Sequence, residues 1–175
     1  DVSRLDLMVG SDDPETQAVA ISAVSGLAMS PGNAQQMVQG GRILPIMSAM
    51  CKSDEQFKLQ SIAAVFVNLS DHAPCRLGML KQQVVMAILS LLQAPAADHN
   101  THYNACRALS NLLSEREGIE LLHEHDHDVI SSSLWGMIQS KSASVVGVAL
   151  RILCFLGGRE DFWFLINNDA GIKYI

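Results

Sequence analysis

One leucine recurs along the chain at nearly constant intervals. It is Leu27 in Val24-Ser-Gly-Leu-Ala, Leu69 in Phe66-Val-Asn-Leu-Ser, Leu112 in Leu109-Ser-Asn-Leu-Leu and Leu156 in Leu153-Cys-Phe-Leu-Gly, at spacings of 42, 43 and 44 residues. The clearest copy of the surrounding pattern runs from Asn104 to Leu113. Self-similarity at such a period marks stacked units, none of which can bury its own apolar face without a neighbour. The chain is therefore expected to be a solenoid, with approximate units 1–30 (partial), 31–72, 73–115, 116–158 and 159–175 (partial).

Composition sets the type of unit. Nearly half of the 175 residues are apolar but only 5% are aromatic, a bias toward Ala, Leu, Ile, Val and Met that suits helix packed on helix. Long alternating runs of β-branched residues, the mark of strands, are missing. The longest apolar stretch, Val84 to Leu92, is about half the roughly 20 residues that a membrane span needs, and no basic leader with a cleavage site opens the chain. A soluble protein of the cytoplasm or nucleus is expected, without membrane insertion. Cys51, Cys75, Cys106 and Cys154 contain no Cys-x-x-Cys pair, which argues against a zinc ribbon or a thioredoxin-like motif. Cys106 and Cys154 fall in apolar helical patterns and are expected to be buried thiols, in keeping with a reducing compartment. The net charge of −6 disfavours nucleic acid as a partner.

Punctuation divides the units into helices. Residues 1 to 8 read as the end of a helix. Asp13 and Pro14 then open another as N-cap and N1, with Ala20, Ala23, Val24 and Leu27 as its buried stripe. Ser30-Pro-Gly-Asn33 breaks the chain before a short helix over Ala34 to Gln39, and Gly40-Gly41 supplies a corner with positive φ. Ile43 to Met50 is a second helix with Pro45 in its first turn. Ser53-Asp-Glu-Gln56 is a capping box for a third, through Leu69. The plan repeats: Pro74 to Lys81, Val84 to Gln93, then a long helix capped by Asn100; then Gly118 to His123, Val129 to Gln139, and a helix from Ser142 to Leu156 stopped by Gly157-Gly158. Asp161-Phe-Trp-Phe-Leu-Ile166 opens a fifth unit. An apolar helix of that kind needs a neighbour, so the chain is expected to be part of a longer protein or to have its ends covered.

Short, medium and long helices in about 42 residues, with Gly41-Arg-Ile-Leu-Pro45 before the second helix, Gly171-Ile172 at the corresponding place later and Ala105-x-x-Ala-Leu-Ser-Asn-Leu112 in the third, resemble the armadillo repeat. HEAT repeats are the near alternative, because Val84 and Asp128 stand near the glycine position in the later units. The resemblance spans essentially the whole chain and implies an all-α, right-handed α-solenoid of three-helix repeats. It further implies a non-catalytic scaffold whose third helices line a concave groove for an extended or disordered segment of another protein, with asparagines of the third helix clamping that segment's backbone. Asn68 and Asn111 occupy the asparagine position here, and Gly26 and Phe155 replace it in the flanking units. Armadillo proteins that read basic nuclear-import signals carry a tryptophan four residues earlier; this chain has Ala64 and Arg107. A structural role in a large assembly, through convex faces and repeat ends, is the alternative.

Helical geometry extends the candidate groove. If Asn111 faces it, so do Arg107 and Asn104, and by equivalence Ser61 and Ala64 beneath Asn68 and Arg151 beneath Phe155. Arg107 and Arg151 would then make the C-terminal half of the groove locally basic and suited to an acidic segment, through charge-assisted bonds from a planar guanidinium. The alternatives are arginines paired with neighbouring acids and asparagine amides that bridge repeats.

Sites for chemistry are sparse. His123-Glu-His-Asp-His127 matches H-E-x-x-H, and His123, His125 and His127 are the weak candidates for a metal or, more remotely, for a metal-dependent hydrolase. The run falls at a corner between short helices rather than in the long helix beside a cleft that such enzymes use. Gly40-Gly41 and Gly157-Gly158 lack the spacing of a phosphate loop, and no Gly-x-Ser-x-Gly elbow occurs. Trp135, Trp163 and the eight methionines read as seam packing. No enzyme activity and no cofactor are expected.

Overall fold

Asp13 shows how this sequence starts a helix. Its carboxylate accepts from the Thr16 amide at 2.8 Å and from the Thr16 hydroxyl, while Pro14 takes the first helical position. Asp98 repeats the device 85 residues later, accepting from the amide and hydroxyl of Thr101, each at 2.8 Å. The cap of that helix is therefore Asp98, not Asn100, which falls inside the first turn. Nor does the capping box at Ser53 form. The Ser53 hydroxyl accepts from the Glu55 amide in a local turn, and Glu55, at the N-cap, gives its side chain to Lys58.

The structure is a computed structural model that describes residues 4–123, 127–157 and 160. Its helices are α1 (Leu5–Val9), α2 (Pro14–Leu27), α3 (Pro31–Gly40), α4 (Ile43–Ala49), α5 (Gln56–Asp71), α6 (Ala73–Lys81), α7 (Val84–Gln93), α8 (His99–Leu112), α9 (Arg116–His123), α10 (His127–Ile138) and α11 (Ala143–Gly157). A 3-10 turn, Met50–Lys52, extends α4. Among the described residues there is no strand, and no single helix is long and apolar enough to cross a membrane. Helix α3 begins at Pro31, three residues before the expected start, because a proline at N1 opens a helix as readily as it breaks one.

The helices stack in three rows. First helices α3, α6 and α9 pack in succession, as do second helices α1, α4, α7 and α10 and third helices α2, α5, α8 and α11. This is an all-α solenoid. A single apolar core runs through it from Val9 to Leu156, with Phe66 and Ile88 among its fully buried side chains. Each such side chain contributes about 1.5–3 kcal/mol. Polar straps one repeat long join successive repeats. Asn68 Nδ2 donates to the Ser25 carbonyl at 2.9 Å, Gln82 Nε2 to the Val38 carbonyl at 2.9 Å, and His72 Nε2 meets the Ala28 carbonyl at 3.0 Å.

The corner before the second helix demands a left-handed residue, and Gly41 supplies it with φ of 70°. In the next unit the same corner is made by Gln83, at φ 57°, one residue before the expected Val84. The corner thus persists without its glycine, at a local cost of about 1–2 kcal/mol.

Three expected burials, of Ala23, Leu27 and Cys154, fail for one reason. Ala23 and Leu27 are exposed, and the stripe of α2 is instead Ala20, Ile21 and Val24, with Ala28 just beyond the helix. Their equivalents one repeat on, Val65 and Leu69, are fully buried because α2 covers them. Likewise Cys154 is exposed rather than buried, and Leu150 is half-exposed, whereas their equivalents Ser110 and Cys106 lie buried on α8, beneath α11. Leu27 and Cys154 therefore stand on the two end faces of the described stack.

Candidate functional site

Third helices alternate tightly buried and solvent-touching positions. From 61 to 70 on α5 only Ser61, Ala64 and Asn68 are not buried, and on α8 the corresponding residues are Asn104, Arg107 and Asn111. Spacings of three and four residues put each set on one helical face. Because α2, α5, α8 and α11 are successive neighbours, these faces form one continuous surface, joined by Val19, Ser22 and Gly26 at one end and by Arg151 and Phe155 at the other. The six residues expected to line a groove, Ser61, Asn68, Asn104, Arg107, Asn111 and Arg151, share this surface.

Their hydrogen bonds divide them into straps and free groups. Asn111 Nδ2 donates to Asp71 Oδ1 at 2.8 Å and to Ser70 Oγ at 3.1 Å, across the α5–α8 seam. Arg107 Nη2 reaches both oxygens of the same carboxylate, at 3.3 and 3.1 Å, while its guanidinium lies 5.8 Å from the centre of the Tyr103 ring on its own helix. The charge of Arg107 is thus met by Asp71. Arg151 is exposed and forms no ion pair with any described residue. Asn68 and Asn111 each spend amide hydrogens on the neighbouring repeat, and their Oδ1 atoms accept no hydrogen bond from a described residue.

Two clefts open on this surface. One, of about 450 Å³, lies between α2 and α5 and is lined by Ala18, Val19, Ser22, Ala23 and Phe57. The other, of about 490 Å³, lies between α8 and α11 and is lined by Tyr103, Arg107, Ser144, Gly147, Val148 and Arg151. The sequence reading missed Asp71, Phe57 and Tyr103. Tyr103 was legible as the residue four before Arg107; Asp71 pairs with a residue 36 positions away, and only the stack brings the two together.

The histidine run adds no geometry to the site, since His125 and the side chains of His123 and His127 lie outside the described residues, as do Trp163 and Gly171. Among the described residues no group of three or more His, Cys, Asp or Glu side chains could hold a metal ion. Trp135 is half-buried on α10.

Rows of first, second and third helices, with a left-handed corner before the second, define an armadillo-like repeat solenoid. Solved structures agree. A computationally designed armadillo repeat protein for modular peptide recognition superposes with a TM-score of 0.80 at 15% identity over 99% of this chain and 78% of its own. An engineered protein gives a TM-score of 0.79 at 20% identity over 98% and 69%. A designed armadillo repeat protein in complex with the peptide (KR)4 gives 0.77 at 15% over 98% and 71%. At these identities the likeness is one of fold. No protein-family model matches the sequence, and no curated protein matches it.

Proposed function

We propose that the chain is a non-catalytic scaffold that binds an extended segment of another protein along the surface of its third helices. The observation that carries this reading is the run of unburied, mostly small or polar side chains from Val19 to Arg151 across four successive helices, with every other position of 61–70 on α5 and 104–112 on α8 buried. An extended backbone must satisfy its own N–H and C=O groups when it leaves water. Asn68 Oδ1 and Asn111 Oδ1 supply acceptors one repeat apart for two of those N–H groups. On the second helix α7, Val84, Val85, Ile88, Leu89 and Leu92 turn inward and Met86 is exposed, beside Ser90 and Gln93.

The test is a selection of randomised 12-residue peptides on the intact chain, repeated with Ala64→Arg, which fills the middle of the surface from a side chain that makes no hydrogen bond of its own, and with Met86→Arg on α7. The proposal expects enriched peptides whose binding is lost in Ala64→Arg and kept in Met86→Arg, with the helical circular dichroism of both variants unchanged. Enriched peptides that ignore Ala64→Arg, or no enrichment at all, would contradict it and favour contacts through convex faces or ends.

A further inference from the structure

The two clefts are the same seam seen two repeats apart. Tyr103 and Arg107 stand 85 residues after Ala18 and Ser22, and Ser144 follows Phe57 by 87, so each cleft lies between one third helix and the next. Their chemistry is opposite. The first is walled by Ala18, Val19, Ala23 and Phe57, with Val19 60% and Phe57 59% exposed and Ser22 its one hydroxyl. The second carries two guanidinium groups, of which Arg107 is held by Asp71 and Arg151 has no acidic partner among the described residues. An apolar side chain removes Phe57 and Val19 from water in the first cleft, and a carboxylate supplies the second with the charge it lacks.

Geometry then fixes a spacing. Packed helices lie about 8–10 Å apart, so two repeat steps separate the clefts by about 16–20 Å. An extended chain advances about 3.3–3.6 Å per residue and covers that distance in about four to six residues. We infer that the segment bound here carries a bulky apolar side chain and, about four to six positions away in one chain direction, an aspartate or glutamate: the apolar residue between α2 and α5, the carboxylate between α8 and α11 against Arg151. This rests on the groove reading above and adds to it the ligand's composition and register. It also assigns the arginines separate roles, Arg107 fixed as part of the wall and Arg151 as the binding cation.

The peptides enriched on the intact chain provide the test. The expected result is one dominant pattern, a Leu, Ile, Phe or Met and an Asp or Glu at one fixed separation of about four to six positions. Affinity for a fluorescent peptide of that pattern should fall at least about tenfold in Arg151→Glu, as expected for loss of a charge-assisted contact, and recover in part when the peptide's acid becomes lysine. Phe57→Ala should weaken the same peptide while leaving the Arg151 effect intact. Peptides that lose binding in Ala64→Arg but show no preferred spacing, or bind Arg151→Glu unchanged, overturn this inference and leave the groove reading standing. Peptides indifferent to Ala64→Arg overturn the groove reading itself. Binding that appears only when the acid is replaced by phosphoserine overturns the carboxylate assignment.

Discussion

The pairing of Arg107 with Asp71 decides the electrostatics of the groove, and a double-mutant cycle measures it. The closest approach is 3.1 Å, with side chains 35% and 43% exposed. In fully screened water two unit charges at that distance attract by about 1.3 kcal/mol. Ordering two side chains that are each over a third exposed offsets part of this, leaving a coupling of about 0.5–1 kcal/mol. Asp71 also accepts from Asn111 at 2.8 Å, so Asp71→Ala strips two donors and is expected to destabilise by about 1–2 kcal/mol, against about 0.5 kcal/mol for Arg107→Ala. Urea unfolding of both single variants and the double, at low and high salt, gives the coupling as the departure from additivity. The expected value is positive and shrinks with salt. A coupling of zero at low salt would refute the strap: Arg107 would then be a free cation, and the cleft between α8 and α11 would present two charges to a ligand instead of one.

Three other consequences concern stability and reactivity. A Cβ at Gly118 would sit 2.2 Å from the Leu112 carbonyl oxygen, whereas one at Gly78 would meet only the Val38 side chain, at 2.3 Å. Both Gly→Ala changes are expected to destabilise by about 1–3 kcal/mol in urea melts, but Val38→Ala should partly rescue Gly78→Ala, while no side-chain truncation at Leu112 should rescue Gly118→Ala. Burial pushes the Cys51 and Cys106 thiols up to about 12 and raises Cys75 as well, while Cys154 is exposed. An aromatic disulfide reagent at pH 8 should therefore label Cys154 first and the others only on unfolding. Burial lowers the His102 imidazole below its ordinary 6.5, against the opposing charge of Asp98. The unfolded chain then binds the proton first, so stability present above pH 6.5 is lost as pH falls toward the folded value, and His102→Gln should flatten that part of the profile between pH 7.5 and 5.

Much of this fold was legible because the repeat is written in local signals. Asp13-Pro14, Gly41 and the apolar spacing of Val84 to Gln93 each act within a few residues of themselves, and the helices form where those signals stand. Errors arose where a local signal had two outcomes. Ser53 had a glutamine three residues on but made a tighter turn, and Asn100 competed with an aspartate two positions earlier whose carboxylate is the stronger acceptor. Leu27 and Cys154 were misplaced because burial in a stack depends on the neighbour as well as on the helix's own periodicity. Helical geometry put Asn68, Arg107 and Arg151 on one face. What each does there was not legible, because the Ser25 carbonyl and the Asp71 carboxylate that claim two of them lie 43 and 36 residues away.

Backbone amide chemical-shift mapping of the full chain with a selected peptide shows where ligand lies and so tests its placement across the third helices. Shifts should cluster at Ser61, Ala64 and Asn68 of α5 and at Asn104, Arg107 and Asn111 of α8, spread to Val19 and Arg151, and leave the exposed face of α7 around Met86 and Ser90 unmoved. Shifts concentrated on α4, α7 and α10, or confined to the end faces at Leu27 and Cys154, would contradict it.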